Sequence, residues 1–235
     1  MLLDFLYTND WKTVIIQFLL TVPVIILILS VHEYAHGLVA KKLGDPTADN
    51  LGRLTINPIK HIDPVGFLMF LIIGVGYAKP VPINSRNFKK PRRDMALVGA
   101  AGPISNVILS LIFMIIFKVF TLFLPMIAQS GPDWAITASY YFMYILKIGV
   151  LYNLVFAIFN LIPAPPLDGS RILYVFLPSK ILFKVQQYER YFFWGVLIIM
   201  LIFSFLGINL IGNLANLLAT LLFNLFKMPT IAYLI

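Results

Sequence analysis

From Thr13 to Val31 the chain carries no charged side chain, and it then continues directly into His32-Glu33-Tyr34-Ala35-His36. An apolar run of about 18 residues or more reads as a membrane-crossing helix. Ionisable residues at the end of such a run are costly in hydrocarbon and mark function by default. Any fold for this chain must therefore place two imidazoles and a carboxylate inside a membrane helix and provide them with partners.

The composition agrees. Of 235 residues, 60% are hydrophobic and 12% charged, with a mean hydropathy of +0.90. Soluble domains run at about 45–50% apolar and about 25% charged. The formal charge of +8 would suit nucleic acid in a soluble protein. In a membrane protein it reports topology instead, so no nucleic-acid partner is expected. With no cysteine there is no disulfide framework, and a metal must be held by His, Asp or Glu. The first residues lack the basic start of a cleavable signal peptide, so the first apolar segment is expected to do the targeting.

In chain order, the apolar pattern predicts a first helix from about Thr13 to Ala40, closed by Lys41-Lys42 and Gly44-Asp45-Pro46. At 1.5 Å per residue the two histidines lie roughly 7 to 14 Å below those lysines. The apolar run Val65 to Val75 would reach only about 17 Å even as a helix, so it is expected to be re-entrant or interfacial. Gly76 to Asn84, rich in proline, is expected to be extended. A second span is predicted over about Met95 to Phe117, opening with Gly99-Ala100-Ala101-Gly102, small residues suited to close helix packing. A third is predicted over about Ser139 to Leu161. A short amphipathic stretch with Arg171, Lys180, Lys184 and Arg190 follows. Two further apolar segments, about 191–206 and 208–226, are joined at Gly207 as a tight hairpin.

The expected fold is an all-α polytopic membrane protein of about five transmembrane helices, with the re-entrant and extended segment between the first two. Residues 1–235 would form a single domain, with a catalytic core of about 13–178 and a C-terminal helical hairpin of about 190–227. Segments 41–94 and 163–190 hold ten and four of the 18 basic residues. If Val65–Val75 does not cross, these segments and Lys227 share one face. The positive-inside rule makes that face cytosolic, with the N-terminus outside, the C-terminus inside and the site opening toward the cytosol.

The stretch His32-Glu33-x-x-His36 is the H-E-x-x-H zinc signature. It places two imidazoles on one face of a helix and leaves the carboxylate free to act as general base on a metal-acidified water. A catalytic zinc needs a third protein ligand. No second glutamate lies within a predicted span. Asp168, after the proline-broken end of the third span, is the leading candidate, with Asp45, Asp49, Asp63 and His61 as competitors. Intramembrane His and acidic residues also occur in metal or ion transporters, and an inactive membrane scaffold would leave a similar trace. The clustering of the candidates at one depth favours the hydrolytic reading.

Beyond the first signature, the chain carries Asn57-Pro58-x-x-His61-Ile62-Asp63-Pro64-x-Gly66, then Gly102-Pro103-x-x-Asn106, and Asn160 eight residues before Asp168-Gly169. Together these resemble the site-2 protease family of intramembrane zinc metalloproteases, specifically minimal members without a PDZ or CBS domain. The resemblance implies one zinc ion per chain held by His32, His36 and Asp168, with Glu33 catalytic. It implies that Asn160 positions substrate or stabilises the oxyanion, and that Asn106 supports the metal helix. It implies that His61 and Asp63 shape the entrance and that residues 77–84 offer an edge strand for β-augmentation. The substrate would be a transmembrane protein in a cell membrane, cut within or near its span.

Overall fold

The computed structural model describes residues 10–73 and 76–226. Gly74 and Val75, the end of the expected re-entrant run, and Lys227 fall outside those residues. The described chain is helical in ten segments: α1 (Trp11–Lys42), α2 (Thr47–Asn50), α3 (Pro64–Ile73), α4 (Pro91–Thr121), α5 (Leu124–Ser130), α6 (Asp133–Asn160), α7 (Asp168–Leu173), α8 (Ser179–Gln187), α9 (Glu189–Phe205) and α10 (Leu210–Leu225). Single 3₁₀ turns sit at Pro58–Lys60 and Ser85–Asn87.

Helices α1, α4 and α6, with 32, 31 and 28 residues, are long and apolar enough to cross a membrane. The protein is thus an all-helical polytopic membrane protein. α1 and α4 run past their expected limits at both ends, and α6 at its start, because polar residues continue them beyond the apolar window. Asp10 caps α1 by accepting from the Thr13 N–H (3.2 Å), and Lys41 and Lys42 occupy its last turn, where the helix dipole favours cations. α4 starts at Pro91, four residues before its apolar stretch, and α6 starts at Asp133 after Pro132. The loop expected between them contains α5. The last two helices, of 17 and 16 residues, reach about 26 and 24 Å. They are joined at Gly207, whose φ of +69° is open to glycine at little cost. Among the described residues, however, α10 packs on α6 and not along α9, so the expected tight hairpin does not close.

α4 is the central helix, packed along both α1 and α6. Their common core joins Ile28 of α1, Met114 and Phe117 of α4, and Val150 of α6; Ala215 and Ala219 bring α10 against it. At Gly149 an added Cβ would come within 2.5 Å of the Phe113 ring, so glycine lets α4 and α6 close up. Apolar side chains such as Leu19, Ile104, Ile108 and Ile115 point outward, as they should toward lipid.

The re-entrant expectation holds in its geometry. α3 has ten residues, about 15 Å, and the chain is back beside its start by residues 76–77. A Cβ on Gly66 would overlap the Tyr77 carbonyl, and one on Gly76 the Gly66 carbonyl. The Lys79 N–H then donates to the His61 carbonyl (2.8 Å), closing the excursion on the side where it began. At the same end of the bundle Arg92 reaches the Leu177 carbonyl (3.3 Å) and the Ser179 hydroxyl (2.7 Å). The two basic segments are therefore neighbours.

Candidate metal centre

Residues four apart on a helix stack one turn above the other, so α1 presents His32 and His36 side by side. α6 ends at Asn160, and the proline-rich turn that follows carries the chain back toward α1. There Asp168 opens α7. Gly169 makes this approach possible, since a Cβ there would lie 2.3 Å from the Leu161 carbonyl oxygen.

Three ligand atoms converge. His32 Nε2 and His36 Nε2 are 3.0 Å apart, and Asp168 Oδ2 lies 3.0 Å from the first and 3.1 Å from the second. All three residues are buried, at 5%, 3% and 6% exposure. His36 Nδ1 donates to the Val98 carbonyl (2.7 Å). That fixes its tautomer and leaves Nε2 with a bare lone pair. This lone pair faces a carboxylate oxygen and a second imidazole nitrogen at contact distance, an arrangement that repels unless a proton or a metal ion sits among them. Ligands at about 2.0–2.1 Å on a tetrahedral zinc stand about 3.3 Å apart, close to the observed triangle. His, His and Asp therefore fit zinc in spacing and in chemistry, and they could hold it.

α4 builds the wall behind the site. Gly102 faces both imidazoles, and a Cβ there would sit 2.5 Å from His32 Nε2 and from His36 Nε2. Gly99 takes the same role toward α7, where a Cβ would meet the Asp168 carbonyl oxygen at 3.0 Å. The small residues at the start of the second span thus pack against side chains of the metal centre and against α7.

The Glu33 carboxylate lies on the adjoining face of α1, half-buried, and its Oε2 accepts from the Val81 N–H at 2.8 Å. The competitors for the third ligand position are otherwise engaged. Asp45 accepts from Thr47, Asn84 and Asn87. Asp49 pairs with Lys41 (2.7 Å), and Asp63 caps α3 through the Val65 and Gly66 N–H groups. His61 is buried and donates from Nε2 to the Thr55 carbonyl (2.7 Å).

Asn160 is not drawn into the triad. Its Nδ2 donates to the Phe156 carbonyl one turn back on α6 (3.1 Å). Asn106 is fully buried on α4, one turn from Gly102, and neither of its side-chain polar atoms has a partner among the described residues. Residues 79–82 are poor edge-strand donors. The N–H groups of Lys79 and Val81 are spent on His61 and Glu33, and Pro80 and Pro82 have none. Val98 and Val81 leave no signature in the sequence because they act through backbone groups. Gly102, visible there as a small packing residue of the Gly102-Pro103 motif, gives no sign that it faces the imidazoles.

The profile of Peptidase family M50 matches residues 20–203, more than three-quarters of the chain and all of the centre just described. The chain belongs to Peptidase family M50. It is 44% identical over 175 residues to the "Putative zinc metalloprotease YwhC" of Bacillus subtilis, covering 72% of this chain and 75% of that protein. The "Putative zinc metalloprotease Rip2" of Mycolicibacterium smegmatis is 23% identical over 79% of this chain and 66% of its own length. The zinc metalloprotease MJ0392 of Methanocaldococcus jannaschii is 28% identical over 82% of this chain and 45% of its own length. No solved structure matches significantly. The M50 chain is a zinc metalloprotease with several membrane helices, and a zinc ion is its cofactor.

Proposed function

We propose that this M50 protease cleaves peptide bonds within or next to the transmembrane segments of membrane-protein substrates, at a site opening toward the cytosol. The observation that carries the reading is the burial of the His32–His36–Asp168 triangle between helices long enough to cross a bilayer. In this reading His32, His36 and Asp168 hold the zinc ion. Zinc, when bound, supplies an acidified water and a Lewis acid for the scissile carbonyl. The Glu33 carboxylate, with Oε1 left open, takes a proton from the attacking water and returns it to the leaving amine. Asn160 has a second amide hydrogen beyond the one given to Phe156, and it donates that hydrogen to the developing oxyanion. A helical substrate has its backbone groups satisfied internally, so it must unwind locally before attack. The catalytic unit is residues 13–178, and the C-terminal segment 190–227 flanks it. α10 completes the bundle, and Phe193 of α9 packs edge-on against Tyr77 (5.9 Å), near the extended segment.

Reconstitution tests the reading. Purified protein in liposomes should cut single-span substrates and leave soluble unfolded proteins intact; cleavage of soluble proteins alone would contradict it. The absence of native cysteine makes the orientation directly measurable. Single cysteines at Gly52 and Gly131 should label from the cytosolic and the opposite side, respectively.

A further inference from the structure

We propose that residues 79–84 form a strap that positions the Glu33 carboxylate, with the Val81 N–H as the holding donor and Asp45 as the anchor. The inference rests on the proposed role of Glu33 as the base.

A backbone N–H can aim a carboxylate only if its own chain is fixed, and this one is fixed at both ends. Upstream, the Lys79 N–H donates to the His61 carbonyl (2.8 Å). Arg53 Nη2 donates to the carbonyls of Lys79 (2.9 Å) and Pro80 (3.2 Å). Downstream, the Asn84 N–H donates to Asp45 Oδ2 at 2.7 Å. Between these ties, Pro80 and Pro82 set φ and remove their own donors, which leaves the N–H groups of Val81 and Ile83, and Val81 is the one that meets Glu33. The Val81 side chain is buried and rests on Gly37, where an added Cβ would be 3.2 Å from Val81 Cγ1. Gly37 is four residues after Glu33. One face of α1 therefore receives both the side chain and the N–H of Val81.

Asp45 explains how the strap keeps its register against α1. The residue follows that helix directly, with its N–H on the Ala40 carbonyl (2.9 Å). Its carboxylate is fully buried and accepts from the Thr47 N–H (3.1 Å), the Thr47 hydroxyl, the Asn84 N–H and Asn87 Nδ2 (2.7 Å). A buried carboxylate with that many donors is a rigid joint. Through it, the end of α1 holds the strap whose middle holds the base of α1. The contact is charge-assisted and short, which makes it about twice as strong as a bond between neutral groups.

The test removes one hydrogen. Replacing Val81 with α-hydroxyvaline puts an ester oxygen where the N–H was and keeps the side chain. In reconstituted full-length protein, turnover of a single-span substrate should fall about tenfold, with zinc content and KM unchanged. Asp45→Ala should lower kcat in the same way, and Asp45→Asn less. Independently of activity, hydrogen exchange over residues 79–84 should quicken in Glu33→Ala. Wild-type or faster turnover by the ester protein would overturn the proposal, since the contact would then be idle or inhibitory. Unchanged exchange in Glu33→Ala would also overturn it. If the wild type binds zinc and cuts no membrane substrate, the base reading fails, while the exchange result still judges the strap.

Discussion

The two working faces of α1 are built in different ways. The face that carries His32 and His36 is sealed by helices: Gly102 of α4 presses on both rings, the Val98 carbonyl fixes one of them, and α7 brings Asp168 to the third corner. The face that carries Glu33 and Gly37 is covered by irregular chain, tied down through main-chain groups and Asp45. Metal ligands need fixed directions, which close helix packing behind the site provides, while a catalytic ion keeps one position open. A proton-transferring carboxylate needs a fixed direction and an open side, and a strap can leave that side to water and substrate. In the proposed mechanism the H-E-x-x-H spacing gives one helix both tasks, because adjacent residues point about 100° apart on a helix.

The sharpest way to break the contrast is on the metal face. Gly102→Ala inserts a methyl where both imidazoles stand, 2.5 Å from their Nε2 atoms, so the rings must swing away from the positions that converge with Asp168. Zinc content measured by atomic absorption should fall to background and cleavage should vanish with it. Retained zinc would show that α4 can move away from α1. On the other face, Gly37→Ala presses on Val81 and Leu54 at 3.1–3.2 Å. Zinc should stay bound while kcat drops several-fold, about 1 kcal/mol in the barrier. Asn160→Ala belongs to neither face. It should keep zinc and lose roughly 10²-fold in kcat if its amide serves the oxyanion. A loss in KM alone would make it a substrate contact.

The smallest expected effect is a pH dependence of the strap anchor. Burial by itself would raise the Asp45 carboxyl, but hydrogen bonds from Thr47, Asn84 and Asn87 outweigh it and hold the group below the usual carboxylate range. A depressed folded-state value adds stability above the unfolded value of about 3.9, and this is lost as pH falls through the folded value. The thermal stability advantage of wild type over Asp45→Asn should therefore be full near neutrality and shrink below about pH 4. An advantage independent of pH would mean that shape, not charge, makes the joint.

Much of the metal face was legible in the sequence. The pair of histidines follows from helical periodicity, and Asp168 was the favoured third ligand because a proline-broken span end is tolerated only beside a cavity or buried in protein. The other face was hidden for a physical reason. Its key donor is the N–H of Val81, a group that every residue except proline carries. In the sequence Asp45 reads as part of a helix-ending Gly44-Asp45-Pro46 and as a rival ligand, because a loop aspartate looks the same whether it binds a metal or ties a turn. The span limits were read short wherever charged residues continued a helix into water, as Arg92, Arg93 and Asp94 do at the start of α4. The re-entrant segment was legible because length alone forbids a ten-residue helix from crossing.

The division of labour along α1 is tested most directly by measuring bound zinc and cleavage of a single-span substrate together, in wild type, Glu33→Gln and His36→Ala. Wild type should bind one zinc and cleave, Glu33→Gln should keep the zinc and lose cleavage, and His36→Ala should lose both. A Glu33→Gln protein that still cleaves, or a His36→Ala protein that keeps its zinc, would contradict it.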